Sequence, residues 1–224
     1  AQGYGLTETA PLIAGTPDFV SDRYKKAGSC GPAIPQGEIK IDSPNEDGIG
    51  EILYRGPNVM LGYYNMPEET EAVMRDGWFA TGDLGFLDAN GWVYITGRKK
   101  NVIVTKTGKN IYPEEIEAYL AKIPYIEECM VYGTDSEEDG DTIVSVQIRP
   151  NMEAITERLG ENPPDEEIYR LLRDKVGDVN MQIPNYKRIR HVAIRKTEFI
   201  KTTTKKIKRM DNLDLLESDV FTLE

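Results

Sequence analysis

The chain has 224 residues, of which 39% are hydrophobic and 29% charged, a balance typical of a folded globular protein rather than a disordered one. Its formal net charge of −11 argues against a general nucleic-acid binder. A single histidine and two widely separated cysteines, Cys30 and Cys129, argue against a zinc site or a disulfide framework. We interpret both thiols as small buried residues of a reducing, cytoplasmic compartment. No apolar run is long enough to span a membrane, which predicts no transmembrane segment and leaves peripheral membrane contact open.

Residues 1–97 are predicted to be rich in strands and turns. Two short strand candidates, at 51–55 and 92–96, lie among frequent glycines, and the stretch 88–91 is predicted to turn into the second strand. This part of the chain lacks the helices that a complete α/β domain requires. We therefore expect it to be the end of a larger β-rich domain, whose exposed strand edges favour self-association.

Residues 98–224 alternate between strand and helix patterns, which predicts a compact α+β domain that folds independently. A strand is expected at 102–105, and Pro113 is expected at the first position of the helix that follows. Asp165 is predicted to open a second amphipathic helix. A closing helix is predicted from three apolar residues near the end of the chain, Leu213, Leu216 and Val220.

Two motifs carry side chains suited to binding a nucleotide. In the stretch 4–9, a threonine hydroxyl can bond a phosphate oxygen while the neighbouring Glu8 holds Mg²⁺ against the same phosphate. In the stretch 79–84, Asp83 follows a glycine turn, and its two carboxylate oxygens suit the two hydroxyls of a ribose. Taken alone, each motif is more often a local turn.

Two further motifs are basic. Arg98 lies at the predicted domain boundary, where a long side chain can donate to ribose or phosphate oxygens in either of two domain orientations. The segment 201–209 places lysines on a threonine-rich loop, a pattern that suits charge neutralisation of a transferred phosphate. Taken alone, this segment is more often an exposed basic surface. The glycine-flanked stretch 50–64 is interpreted as scaffold without chemistry.

In this order, the motifs together resemble the AMP-forming superfamily that contains acyl-CoA synthetases, peptide-synthetase adenylation domains and firefly luciferase. The resemblance covers nearly the whole chain, and the long hairpin after Arg98 resembles that of bacterial long-chain fatty acyl-CoA synthetases. It implies an α+β fold class. Residues 1–97 would be a β-rich remnant, part of a distorted barrel, of the large N-terminal domain. Residues 98–224 would be the small mobile C-terminal domain, with a hinge near 98–101. The matching stretches are YGLTET, GEILYRGPNVMLGYY, FATGDL, GRKKN with NIYPEEIE, and TTTKKIK.

The resemblance also implies a role for each matching residue. Lys206 would be the adenylation lysine, with Lys205 left as the alternative because the family often has glycine before the catalytic lysine. The choice of Lys206 rests on Ile207, since isoleucine follows the lysine in the common pattern. Lys100 would be the hinge residue, and Gly108 would let the pantetheine arm of CoA pass closely. The nucleotide and metal ligands would be Tyr4 beside the adenine, Gly5, Thr7 at the AMP phosphate, Glu8 at Mg²⁺, Asp83 at the ribose and Arg98 assisting it.

The implied reaction is ATP-dependent activation of a fatty acid as acyl-AMP, followed by transfer of the acyl group to CoA. ATP, Mg²⁺ and CoA would be the substrates and metal of the complete enzyme. The family's phosphate loop and acyl pocket are expected upstream of Tyr4, so this chain alone is expected to be inactive. Three alternatives stay open: a peptide-synthetase adenylation domain, a luciferase-like oxygenase, and a binding or regulatory module without catalysis. The sequence predicts neither the acyl chain length nor the oligomeric state.

Overall fold

The computed structural model describes residues 2–17, 26–135 and 141–213, together with the backbone of 220–221. The chain divides into two compact units, Ala1–Lys100 and Asn101–Glu224. Each unit has its own sheet and its own apolar core, and this architecture confirms the predicted α+β fold class. Within the described residues, no helix is both long and apolar enough to cross a membrane.

The first unit is built on antiparallel strands. The chain enters through a short hairpin of β1 (Gly3–Gly5) and β2 (Leu12–Gly15), with a 3-10 turn at Thr7–Thr9 between them. A helix, α1 (Pro67–Val73), lies between the fourth and fifth strands of the chain. The five-stranded sheet consists of β3 (Glu38–Asp42), β4 (Gly50–Arg55), β5 (Met74–Arg75), β6 (Trp78–Leu87) and β7 (Val93–Arg98). The described strands do not close into a barrel, so this sheet is at most part of one.

The sheet order of the first unit is β3–β4–β6–β5, and β7 also pairs with β6. Strand β4 is buried along nearly its whole length, as expected for a strand with neighbours on both sides. The core forms where the apolar residues of three strands meet, and Ile13, Tyr54 and Val93 are fully buried there. Strand β6 pairs with β4, β5 and β7, so a side chain on β6 is held by several neighbouring strands.

The second unit combines a small hairpin, a four-stranded sheet and helices. The hairpin consists of β8 (Ile103–Val104) and β9 (Asn110–Ile111). The sheet contains, in spatial order, β10 (Ile126–Asp135), β11 (Thr142–Pro150), β12 (Ile189–Arg195) and β13 (Val220–Phe221). The helices are α2 (Pro113–Leu120), α3 (Met152–Leu159), α4 (Asp165–Asn180) and α5 (Arg209–Leu213).

Local sequence explains where the helices of the second unit begin. Helix α2 begins at Pro113 and α4 begins at Asp165, which confirms both predictions. Proline fixes the backbone angle that a first helical residue needs, and the acidic residues after it face the positive end of the helix dipole. Strands β11 and β12 are parallel, so a crossover must join them, and α3 and α4 supply it.

The predicted closing helix is only partly correct. Helix α5 is described over Arg209–Leu213, and the backbone of Val220 belongs to β13, where it pairs antiparallel with Arg195 of β12. Leu216 lies outside the described residues. The helical prediction for Val220 is wrong because the neighbouring strand β12 offers backbone hydrogen bonds that a short apolar pattern does not reveal.

The junction between the two units follows a continuous strand. The sequence predicts a domain change after Gly97, but β7 continues through Arg98, and a 3-10 turn at Lys99–Asn101 comes next. The division into compact units lies after Lys100, within that turn.

We expect residues 101–224 to fold as an isolated polypeptide, because the larger apolar core lies entirely within this unit. Circular dichroism of this polypeptide should show a single cooperative thermal transition. Non-cooperative melting, at a concentration where the 224-residue chain melts cooperatively, would contradict the expectation.

Candidate functional site

Two residues that are distant from each other in sequence, Tyr4 and Arg98, both contact Asp83 in the first unit. Asp83 of β6 lies opposite Arg98 of β7 in the antiparallel register, and Arg98 Nε is 2.7 Å from Asp83 Oδ1. The hydroxyl of Tyr4, on β1, donates a hydrogen bond to Asp83 Oδ2 at 2.8 Å. Both carboxylate oxygens of Asp83 are therefore oriented by fixed donors.

The surroundings of Asp83 fix its position. Its backbone N–H donates to Thr81 Oγ1 at 3.1 Å, and that hydroxyl donates to the carbonyl of Ile52 at 2.8 Å. Asp83 is 5% exposed, whereas the Arg98 side chain is 37% exposed. Burial, and then the charge of Asp83, raise the pKa of Tyr4, so that it stays a hydrogen-bond donor at physiological pH.

The turn after β1 presents two side chains differently. Thr7 is exposed, whereas the buried Thr9 holds the turn: its hydroxyl accepts from the Leu6 N–H at 3.2 Å and contacts the Leu6 carbonyl at 3.0 Å. Glu8 is half-buried, and its Oε1 accepts a hydrogen bond from the Tyr63 hydroxyl at 2.9 Å. Burial, and then this contact with Glu8, raise the pKa of Tyr63. The sequence analysis assigned no role to Thr9 or Tyr63, because a threonine or a tyrosine by itself does not indicate one.

Gly5 has a steric explanation within the hairpin. A Cβ at this position would lie 1.8 Å from the Pro11 carbonyl oxygen and 2.9 Å from the Leu12 Cα. No side chain fits there, because backbone atoms cannot give way as a flexible side chain can. Gly5 therefore allows β1 to approach the chain that enters β2.

In the second unit, Lys206 lies on an exposed turn of defined geometry. The Thr202 N–H donates to the Lys206 carbonyl at 2.8 Å, and the Lys205 N–H donates to the Thr202 carbonyl at 2.9 Å. The Thr202 hydroxyl also accepts from the Lys206 N–H at 3.1 Å. Lys205 has φ +63°, the left-handed conformation that glycine adopts most readily. Both lysine side chains are exposed.

The hairpin between β8 and β9 contains the same turn. The Thr105 N–H donates to the Lys109 carbonyl at 3.1 Å, and the Gly108 N–H donates to the Thr105 carbonyl at 2.9 Å. The Lys109 N–H donates to Thr105 Oγ1 at 3.1 Å, as Lys206 does to its own threonine. Gly108 has φ +77°, and a Cβ there would meet open space, so its backbone angle explains the glycine.

The sequence carries a signal for this repeated turn that was missed. Both turns read Thr-x-Thr-x-Lys, at 105–109 and at 202–206. In each turn the fourth residue has a positive φ, and the two threonine hydroxyls lie within hydrogen-bond distance, at 3.0 Å and 2.9 Å. The shared spacing predicts the shared geometry, because the first threonine caps the turn in both cases.

Lys100 lies in the turn at Lys99–Asn101 and is exposed. Lys99 Nζ is 2.8 Å from Glu51 Oε2 of the first unit, and Asn101 Nδ2 donates to Glu114 Oε1 at 2.6 Å in the second unit. The two residues on either side of Lys100 are therefore each attached to their own unit.

The comparisons identify the family. Residues 1–64 match the AMP-binding enzyme family, and residues 100–221 match the AMP-binding enzyme C-terminal domain. The second match covers more than half of the chain, and the chain belongs to this family of AMP-binding enzymes. The predicted membership of the adenylate-forming superfamily is confirmed.

Similar proteins include several CoA ligases. The indoleacetate–CoA ligase of Aromatoleum aromaticum is 42% identical over 152 residues, which cover 66% of this chain and 29% of that protein. The long-chain-fatty-acid–CoA ligase of Bacillus subtilis is 39% identical over 165 residues, covering 70% of this chain and 29% of that protein. The o-succinylbenzoate CoA synthetase (MenE) of Bacillus subtilis, in complex with the acyl-adenylate OSB-AMP, superposes with a TM-score of 0.78 and 28% identity over 99% of this chain and 42% of that one. The matched part of this chain thus spans less than a third of the length of the two curated ligases.

Proposed function

We propose that this chain is the C-terminal part of an AMP-forming acid–thiol ligase. The observation that carries the proposal is the contact of Tyr4 and Arg98 with the buried carboxylate of Asp83, in a chain of this family. A buried carboxylate held in one orientation suits the two hydroxyls of a ribose, because each of its two oxygens is a hydrogen-bond acceptor.

In the proposed reaction, a carboxylate oxygen of the acid attacks the α-phosphorus of ATP. The bond from that phosphorus to the bridging oxygen of pyrophosphate breaks, which gives acyl-AMP. The sulfur of CoA then attacks the acyl carbon and loses its proton, and AMP leaves with the former carboxylate oxygen.

The nucleotide ligands are proposed residue by residue. Asp83 accepts the ribose hydroxyls and Arg98 assists, while Tyr4 lies beside the adenine and Gly5 shapes the strand next to it. Thr7, an exposed residue, contacts the α-phosphate. Mg²⁺, when bound, neutralises phosphate charge, and Glu8 fits it because this ion often takes one carboxylate together with substrate phosphates.

Lys206, rather than Lys205, is proposed as the adenylation lysine. Lys205 occupies the left-handed position of the turn, with φ +63°. The residue in this position corresponds to the glycine that often precedes the lysine in this family. The turn geometry therefore supports the assignment of Lys206 to the transferred phosphate.

Two half-reactions need different groups at one place, so we propose that the units reorient between them. Lys100 is the proposed hinge residue, which its exposure and its position at the division between units support. Gly108 is proposed to face the pantetheine arm of CoA, and its open surroundings support this role.

The proposed acid is a long-chain fatty acid. Relatives named for this substrate occur in Bacillus subtilis and Yersinia pestis, at 39% and 37% identity. Other relatives are named for indoleacetate, 2-succinylbenzoate and ferulate, at 38% to 42% identity. Aromatic acids are therefore the second candidate substrate class.

A cytoplasmic location is also proposed. Cys30 and Cys129 are free thiols, half-buried rather than buried, in keeping with a reducing compartment. Burial raises the pKa of Cys129 to about 12, so this thiol is unreactive. Self-association and peripheral membrane contact stay predictions.

Acid-dependent exchange of pyrophosphate into ATP, followed by thioester formation with CoA, tests the proposal on the complete protein. The panel should contain palmitate, indoleacetate, 2-succinylbenzoate and ferulate. We expect exchange and thioester formation with palmitate. Exchange without transfer to CoA would favour the peptide-synthetase alternative, and no exchange with a broad panel of acids would favour a non-catalytic module.

We expect Asp83→Ala in the complete protein to raise the KM for ATP about tenfold or more, with a smaller change in kcat. Ribose contacts persist in the ground state and the transition state, so their loss weakens binding more than turnover. Steady-state kinetics with varied ATP measure both constants. Asp42→Ala on β3 is the control and should leave them unchanged. A large fall in kcat at saturating ATP would contradict the ribose role.

A further inference from the structure

The loop that carries Lys206 has a closed neck. The Lys208 N–H donates to the Ile200 carbonyl at 2.9 Å, and Lys201 and Ile207 form an antiparallel bridge. These contacts pair residues 200–201 with residues 207–208 and define the neck of the loop. Lys206 lies between the paired segments, on the exposed turn.

Asn212 of α5 ties both sides of this neck together. Its Oδ1 accepts from the Ile200 N–H at 2.9 Å. Its Nδ2 donates to the Ile200 carbonyl at 3.0 Å and to the Lys208 carbonyl at 2.7 Å. The side chain is fully buried. A primary amide supplies one acceptor and two donors, which neither a carboxylate nor an apolar side chain does.

The base of the loop is also attached to β10. Lys201 Nζ is 2.5 Å from Glu128 Oε1. Met130 and Tyr132 of β10 form an apolar cluster with Phe199, and Ile207 packs against this cluster. The loop thus has a packed base and an exposed tip.

We propose that Asn212 is a positioning residue for acyl-adenylate formation: it fixes the neck of the loop and thereby the place from which Lys206 reaches the transferred phosphate. The inference rests on the proposed function of Lys206. A long exposed lysine loses side-chain and backbone freedom when it acts on a phosphate. A neck already held by hydrogen bonds removes part of that cost before the reaction, and small displacements of a catalytic group have large effects on rate.

The test compares Asn212→Ala with the unaltered complete protein in the two half-reactions. We expect kcat for pyrophosphate exchange to fall roughly tenfold, while the KM for ATP stays within about twofold. Thioester formation from preformed acyl-adenylate and CoA should be retained, because it does not use Lys206 in the proposed reaction.

Asn180→Ala is the matched control. Asn180 of α4 also bonds a strand backbone through its side chain, accepting from the Ile189 N–H at 2.9 Å and donating to the Ile189 carbonyl at 2.8 Å. Neither of these two bonds involves the lysine loop. We expect this variant to lose a comparable amount of stability and to keep the ratio of the two half-reaction rates.

Hydrogen exchange of the purified 224-residue chain is a second measurement, which follows the backbone amides of the loop and does not depend on activity. In Asn212→Ala, the amides of Lys205, Lys206 and Lys208 should exchange faster, and in Asn180→Ala they should not. Unchanged exchange at these amides, or an equal fall in both half-reactions, would overturn the positioning role of Asn212. If these amides exchange faster in Asn212→Ala but the unaltered complete protein catalyses neither half-reaction, the result would instead contradict the proposed function.

Discussion

Replacing Lys206 with alanine in the complete protein is expected to slow acyl-adenylate formation roughly a hundredfold or more, the loss typical of one donor to a transition-state charge. The ammonium group is proposed to neutralise charge that develops on the transferred phosphate. Thioester formation from preformed acyl-adenylate should largely survive. Pyrophosphate exchange and a CoA-dependent assay measure the two steps separately.

The neighbouring lysine supplies the control for this prediction. Lys205→Gly should retain pyrophosphate exchange, because glycine accepts the φ of +63° at this position more readily than lysine does. Lys205→Ala should also retain it, provided the turn stays intact. Unchanged exchange in Lys206→Ala, together with its loss in Lys205→Ala, would show that the catalytic lysine had been assigned wrongly.

Arg209→Ala is expected to lower the free energy of unfolding of the second unit by about 2–3 kcal/mol, less than the roughly 3–5 kcal/mol typical of breaking a fully buried ion pair, because both partners are partly exposed. Arg209 Nη2 lies 2.8 Å from both carboxylate oxygens of Glu117, and Nη1 donates to the Val131 carbonyl at 2.6 Å. Burial raises the pKa of Glu117, and Arg209 opposes that shift. Without the guanidinium, the half-buried carboxylate of Glu117 loses its countercharge.

The pH dependence of this variant follows from Glu117. Removing Arg209 raises the pKa of the folded-state carboxyl further above its unfolded value. A raised folded-state pKa favours the folded protein at low pH, and that contribution is lost as the pH rises through the raised pKa. The destabilisation should therefore be largest near neutral pH and smaller in acid, where Glu117 is protonated.

Urea unfolding monitored by hydrogen exchange measures the free energy of unfolding of the second unit separately from that of the first. Arg170→Ala is the matched control, since Arg170 pairs with Glu166 one turn away on an exposed face of α4, at 2.5 Å. Its loss should cost only about 0.3–0.5 kcal/mol. The double variant Arg209→Ala/Glu117→Gln should be more stable than Arg209→Ala near neutral pH. If both single arginine variants lose the same free energy of unfolding, the half-buried pair of Arg209 and Glu117 has no special role.

The sequence by itself determined the features that depend on neighbouring residues. Pro113 and Asp165 begin helices because proline geometry and first-turn acidic residues act locally. The family could be recognised because its motifs are short contiguous stretches. The turn at 202–206 also follows from local order, and it places Lys205 where glycine is common.

Only the tertiary structure decided which distant side chains meet. Tyr4 reaches Asp83, 79 residues away, because the hairpin and the five-stranded sheet share a core. Asp83 meets Arg98 because the register of β6 and β7 sets them opposite each other, and a register shift between Leu84 and Gly85 adjusts that pairing. Side-chain alternation along a strand does not reveal which residues of two strands are opposite.

The same limit applies to two polar side chains of the second unit. Asn212 and Arg209 are ordinary polar residues in sequence, and nothing local distinguishes them from the exposed residues beside them. Their roles depend on backbone groups of Ile200 and Val131, which only folding brings to them. A polar side chain inside a fold is favoured where it satisfies backbone groups that would otherwise lack hydrogen bonds. Which backbone groups these are depends on the tertiary structure.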